Sequence, residues 1–226
     1  IFDIFHTFNT FALIKDKLTG GFGIDCSFLA TGFRSATYVE RQTELCAIAA
    51  HNFPALDLNH ISVRNDDGVA YLEAMSPVDC IFLDPARRNE HGGKAVAISD
   101  CEPDVAALEG LLLNKAKQVM VKLSPMLDLS LALRELQQTQ EVHIISVNNE
   151  CKELLLILGQ TIPQEIKIHC VNLSTKGEQE GQHFTFTREQ EQCSQCSYTD
   201  SLDEYLYEPK VMRSEERFSR NAETDL

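Results

Sequence analysis

The sequence lacks long apolar runs: its densest, Leu154–Leu158, is soon flanked by Lys152 and Gln160, far short of the ~20 residues of a membrane span. It also lacks a basic start followed by a small-residue cleavage site, so no secretory leader is read. The eight cysteines, at 26, 46, 80, 101, 151, 170, 193 and 196, lie mostly inside apolar runs and read as thiols of a reducing cytoplasm. Bases are scarce as well. Twenty Lys and Arg stand against thirty-four acids, a net charge of −14. That average field repels phosphate backbones, so a nucleic-acid site would have to be local. There is no internal repeat, and Gln137–Gln140 is too short for low complexity. The chain starts Ile1-Phe2-Asp3 without Met and ends in a polar run, so it reads as a piece of a longer protein.

What is present is the composition of an ordinary globular protein, 43% hydrophobic and 24% charged over 226 residues, which excludes disorder, collagen and coiled coil as descriptions of the whole. Short β-rich runs alternate with helical patterns, the signature of βαβ units and a parallel sheet. Strands are expected at Phe11–Ile14, Ala36–Val39, Ile61–Val63, Cys80–Leu83, Gln118–Leu123 and Val142–Val147. Helices are expected over Asp25–Thr31 (closed by Gly32), Arg41–His51 and Asp128–Gln138. Another should be capped by Asp100, with Glu102 and Pro103 in its first turn and a stripe of Val105, Leu108, Leu111 and Leu112. Cys151–Leu158 reads as a further helix, and Ile166–Leu173 with His183–Thr187 as an antiparallel hairpin. The fold class is therefore α/β, a doubly wound, mostly parallel Rossmann-like sheet with an antiparallel hairpin at one edge. Residues 1–190 form the domain and 191–226 a linker or tail.

Four places carry chemistry. Leu18-Thr19-Gly20-Gly21-Phe22-Gly23-Ile24-Asp25 follows the first strand and opens a helix. Its glycines allow close backbone approach to a ligand, and the helix start offers free N–H groups; a glycine-rich turn without ligand is the plainer alternative. Counted from Gly21, the dinucleotide fingerprint needs Gly where Cys26 stands. Glu40, 17 residues after Gly23 at the end of the second strand, can accept from two ribose hydroxyls, or simply cap the next helix. Asn65-Asp66-Asp67-Gly68 offers a carboxylate for an adenine amine, or is only a turn. Ile81-Phe82-Leu83-Asp84-Pro85-Ala86-Arg87-Arg88 ends the fourth strand. Pro85 stops the ladder there and holds Asp84 at the pocket mouth, while two arginine forks suit phosphate or carboxylate, or pair with Asp100 or Glu102.

At these residues the chain resembles a class I S-adenosylmethionine-dependent methyltransferase. The likeness covers about residues 12–190: the glycine loop is similar to motif I, Val39-Glu40-Arg41 to the ribose acid, Asp66-Asp67 to the adenine-side acid and Asp84-Pro85 to the fourth-strand motif. More narrowly, these motifs with Lys122-Leu123-Ser124-Pro125-Met126 and Tyr205-Leu206-Tyr207-Glu208-Pro209 resemble bacterial, largely Bacteroidetes, methyltransferases that carry a C-terminal THUMP-like domain. Where motif I has an acid before Leu18-Thr19, this chain has Lys17, with Asp16 one place earlier.

The resemblance implies S-adenosylmethionine as cofactor, bound by Thr19, Gly20, Gly21, Gly23, Asp25, Glu40, Arg41, Asp66, Asp67 and Asp84. It implies Asp84 and Pro85 as catalytic, and Arg87, Arg88, Lys122 and Ser124 as facing the substrate. By analogy with THUMP modules it implies RNA, a tRNA or rRNA base, with a THUMP-like domain beginning in 191–226. Lys122 could otherwise be a snorkelling strand-end lysine. No metal is expected, because Cys193-Ser194-Gln195-Cys196 has no further ligands beyond an isolated His183; no membrane is expected either, and the oligomeric state stays open. Two rival readings remain. One is a non-catalytic nucleoside-pocket module that binds RNA or a protein; the other is a nicotinamide-dependent oxidoreductase, against which Cys26 and Asp84-Pro85 argue.

Overall fold

The computed structural model describes residues 10–14, 22–87, 98–175 and 181–194. The strands are β1 (Thr10–Ile14), β2 (Ser35–Glu40), β3 (Ile61–Asn65), β4 (Val78–Leu83), β5 (Ala86–Arg87), β6 (Cys101–Glu102), β7 (Ala116–Leu123), β8 (Thr139–Val147), β9 (Glu150–Gly159), β10 (Lys167–Leu173) and β11 (Gln182–Thr187). The helices are α1 (Ile24–Leu29), α2 (Thr43–Ala55), α3 (Gly68–Ala74), α4 (Val105–Lys115), α5 (Leu129–Glu135) and α6 (Arg188–Cys193). One nine-stranded sheet runs β11-β10-β8-β9-β7-β4-β1-β2-β3, and β5 and β6 form a separate two-stranded ladder. The block β7-β4-β1-β2-β3 is parallel throughout, β8 pairs parallel with β10, and β9 runs antiparallel between β7 and β8. The expected edge hairpin is β10–β11.

Alternation along the strands builds two cores. Ile81, Leu83, Val119, Val121, Leu154, Leu156 and Leu158 pack with Leu72 and Met75 at α3, Leu112 and Leu113 of α4, and Leu129 and Ala132 of α5. On the opposite face Tyr38, Cys80, Phe82, Met120, Leu155 and Ile157 pack with Cys26 of α1 and with Ala49 and Phe53 of α2. The sheet is thus doubly wound, as expected, and strands buried on both faces read as continuous apolar runs.

That property explains the main correction. Cys151–Leu158 is not a helix; it lies within β9, inserted between β7 and β8. Five consecutive apolar residues serve both faces of a central strand as well as they serve a buried helix, and period alone does not separate the two. The hairpin that enters β9 turns on Asn148 and Asn149, both left-handed (φ 50° and 65°), a conformation asparagine tolerates better than most residues. Asn172 on β10 clamps the turn, accepting from the Asn149 backbone N–H at 3.0 Å and donating through Nδ2 to Asn149 Oδ1 at 2.6 Å.

Caps account for smaller corrections. Asp104, not Asp100, caps the helix after β6, accepting from the Ala107 N–H at 3.1 Å, because Cys101 and Glu102 are taken into a ladder with Arg87 and Ala86. α2 begins at Thr43 rather than Arg41 and runs on to Ala55. α5 stops at Glu135 rather than Gln138. The acidic turn after β3 opens a short helix, α3, that the sequence did not show: Asp67 caps it, accepting from Val69 (3.1 Å) and Ala70 (2.9 Å). The polar run at Gln190 is likewise helical at its start, in α6, where Thr187 and Gln190 form a capping box. No helix among the described residues is long and apolar enough to cross a membrane, and every described cysteine is a free thiol.

Candidate functional site

Because β1, β2, β3, β4 and β7 are parallel, their C-terminal ends share one edge. Crossovers through α1 and α2 cover one face and those through α3 and α4 the other, so the strand order reverses between β1 and β4, the kind of switch point at which open α/β sheets place their ligands. The register brings the motif residues level. Ile14 pairs with Val39 on one side and Leu83 on the other, so Glu40 and Asp84 each lie one residue beyond the pairing and flank the end of β1. Leu83 pairs with Val121, which sets Lys122 level with Asp84.

Glu40 is 2% exposed. Its Oε1 accepts from the Gln42 N–H at 2.8 Å, and its carbonyl accepts from Asn65 Nδ2 at 3.0 Å. Asn65 also donates to the Arg41 carbonyl (2.9 Å) and accepts from Thr43 Oγ1 (2.9 Å), which staples the end of β2 to β3 and α2. Asp66 is exposed and accepts from the Asp67 N–H at 2.8 Å. The carboxylate of Asp67 is the α3 cap, so any amine it takes from a ligand shares it with two backbone N–H groups.

Lys122 is neither snorkelling nor turned to solvent. Its Nζ lies 2.8 Å from Asp25 Oδ2 on α1 and 3.1 Å from Asp84 Oδ2, and its side chain is 19% exposed. Burial pulls the ammonium's pKa down, but the hydrogen bond it donates to Asp25 and the charges of both acids outweigh it, so the pKa is raised. Lys122 therefore stays protonated, cannot serve as a base, and fixes the position of Asp84.

Gly23 caps α1 in the left-handed region (φ 78°), and a Cβ there would meet Phe53 Cζ at 2.7 Å. Among the described residues, the room left by its missing side chain is filled by the α2 aromatic ring. Ser124 opens the turn after β7, its carbonyl accepting from the Leu127 N–H at 3.1 Å.

A cleft of about 550 Å³ opens at this edge, lined by Asp84, Pro85, Lys122, Ser124, Lys152 and Glu153 among others. Lys152 and Glu153 were missed by sequence reasoning because they start β9, whose antiparallel direction brings its N-terminal end to the edge where the parallel strands finish. Thr19, Gly20, Gly21 and Arg88 lie outside the described residues, as do Lys17, Cys196, the Tyr205–Pro209 motif and the side chain of Arg87.

The order β9-β7-β4-β1-β2-β3, with β9 reversed, and the acids at the ends of β2 and β4 define the Rossmann-like methyltransferase fold. A crystal structure of a presumptive methyltransferase from Porphyromonas gingivalis W83 is 34% identical, with a TM-score of 0.75, over 90% of this chain and 50% of that one. The chain thus spans half the length of that protein. An uncharacterized protein from Listeria monocytogenes serotype 4b is 13% identical, with a TM-score of 0.50, over 72% of this chain and 67% of that one, a likeness of fold alone. No protein-family model and no curated protein sequence matches the chain.

Proposed function

We propose that the chain is the catalytic domain of an S-adenosylmethionine-dependent methyltransferase. The observation that carries this reading is the register that sets Glu40 and Asp84 on either side of the end of β1, with Asp84 lining the cleft. S-adenosylmethionine, when bound, supplies a methyl group on a sulfonium that an in-line nucleophile can take. The site suits such a group, since Glu40 is a buried carboxylate at the end of β2, next to the switch point between β1 and β4, and can take ribose hydroxyls through the oxygen not used by Gln42. Asp67 would accept the adenine amine and Asp66 and Arg41 would border it; the glycine loop of Thr19, Gly20 and Gly21 would let the cofactor approach.

Asp84, held by Lys122, would orient the nucleophile by accepting its hydrogen bond, and Pro85 would fix the loop that presents it. Positioning dominates such a transfer, so no strong base is needed. We infer RNA as the substrate class: Arg87 and Arg88 follow Asp84-Pro85 in the sequence, two guanidinium forks suited to phosphate in an acidic chain, and Lys122 and Lys152 line the cleft beside Asp84.

Calorimetric titration with S-adenosylmethionine and S-adenosylhomocysteine, with NADH and ATP as controls, tests the cofactor; micromolar binding of the first two alone is expected. Tritium-methyl transfer to tRNA, rRNA and protein fractions then tests the substrate. Asp84→Ala should abolish transfer while cofactor affinity stays within about tenfold, roughly 1.4 kcal/mol; loss of cofactor binding alone would move Asp84 to the cofactor side. The second reading, a pocket that binds without turnover, draws on the engagement of Asp84 by Lys122. Tight cofactor binding with no transfer to any fraction would select it.

A further inference from the structure

Three potential ligands converge on the sheet at β8 and β10, away from the cleft. In the parallel register of these strands His143 stands directly opposite His169, and Glu141 lies two residues before His143 on the same strand. His143 Nε2 is 3.3 Å and His169 Nε2 is 3.7 Å from the same oxygen, Glu141 Oε2. The rings stack 4.7 Å apart and 19° from parallel, and one donor atom from each of the three residues lies within 4.8 Å of the others. The His143 side chain is only 8% exposed, and both Nε2 atoms are buried without a hydrogen bond among the described residues. Two buried ring nitrogens facing one carboxylate at 3.3 and 3.7 Å, without a well-aligned hydrogen bond, are poorly satisfied, and a cation between them would satisfy all three groups.

From this geometry we propose that Glu141, His143 and His169 bind a divalent transition-metal ion of the zinc type. Bonds of ~2.0–2.2 Å in a tetrahedral site put neighbouring donor atoms about 3.3 Å apart, which the His143–Glu141 pair already matches and the His169–Glu141 pair approaches. Thr185 on β11, the register partner of His169, holds that ring through Nδ1 at 3.0 Å. With its Nδ1–H donating to Thr185 Oγ1, His169 presents a bare Nε2 to the metal, the second contact that ligating histidines usually have. Two imidazoles and one carboxylate favour zinc and its late first-row neighbours over magnesium or calcium. Glu141 is 33% and His169 26% exposed at the side chain, so the fourth position opens towards solvent. The metal would tie β8 to β10 and, through Thr185, to β11, bracing the strands added beyond β9.

The test is titration of chelator-treated protein with Zn²⁺ and Co²⁺, with Mg²⁺ as control. A single equivalent of Co²⁺ should bind with visible d–d absorption and without a thiolate charge-transfer band, since no cysteine takes part. Zn²⁺ should raise the melting temperature. His169→Gln and His143→Gln should each remove both effects, and Thr185→Val should weaken binding on the order of tenfold. If His143→Gln does not fold, His169→Gln and Thr185→Val, at less buried positions, carry the test. No binding, a thiolate band, or binding that survives the histidine substitutions would overturn the proposal.

Discussion

Replacing Lys122 by Met removes the cation that two acids share and leaves Asp25 and Asp84 facing the space it held. With contacts of 2.8 and 3.1 Å, each pair is worth roughly 5–6 kcal/mol of Coulomb attraction at an effective dielectric near 20, before the cost of desolvating the ammonium. Breaking a fully buried pair costs about 3–5 kcal/mol. Here Asp25 is 32% exposed at the side chain and water relaxes part of the charge left behind, so a net loss of about 2 kcal/mol is expected. Urea unfolding of both proteins measures it. The sign of the pH dependence follows from the raised pKa of Lys122, whose ordinary value is 10.5: its contribution is complete below that value and fades as pH rises through the higher folded-state value. The difference between wild type and Lys122→Met should therefore be flat from neutral pH until about 10 and shrink above it. A difference under about 0.5 kcal/mol, within the range of ordinary surface substitutions, or one unchanged in strong alkali, would refute the reasoning.

Gly23→Ala should cost about 2–4 kcal/mol, combining a left-handed φ with the collision against Phe53, read as a lower urea midpoint. Asp67→Asn should keep the α3 cap, since Asn caps as well as Asp, whereas Asp67→Ala should lose about 1 kcal/mol. If the Asp67 carboxylate takes the adenine amine, both variants should weaken S-adenosylmethionine in calorimetry, and unchanged affinity in Asp67→Asn would leave the residue a cap only. Leu156→Ala, at a fully buried position of β9, should cost about 2–5 kcal/mol. A loss under about 0.5 kcal/mol, as for an ordinary surface substitution, would contradict its burial between the two faces of the sheet.

Much of the sheet was legible because β1 to β4 and β7 carry short β-rich runs bounded by helical periods, and a parallel order constrains where their ends meet. Glu40 and Asp84 could be read from position alone, since each ends a strand in an α/β pattern. Other features were invisible in the linear chain. The direction of β9 depends on a two-asparagine turn and on burial of both its faces, which a five-residue apolar run does not encode. α3 is too short to show a period, and its cap looks like any Asp-Gly turn.

The sequence by itself determined the α/β class and the strand-end positions of Glu40 and Asp84, because these rest on local period and on where each β-rich run stops. Only the tertiary structure decided what those residues touch. It put Phe53 against Gly23, 30 positions away in the chain, and locked Lys122 between Asp25 and Asp84. It brought Glu153 into the cleft by reversing β9. It also set His169 beside His143, a pairing fixed by the register of β8 and β10. Each of these contacts joins segments far apart in sequence, and such contacts follow from strand order and register, which no local pattern specifies.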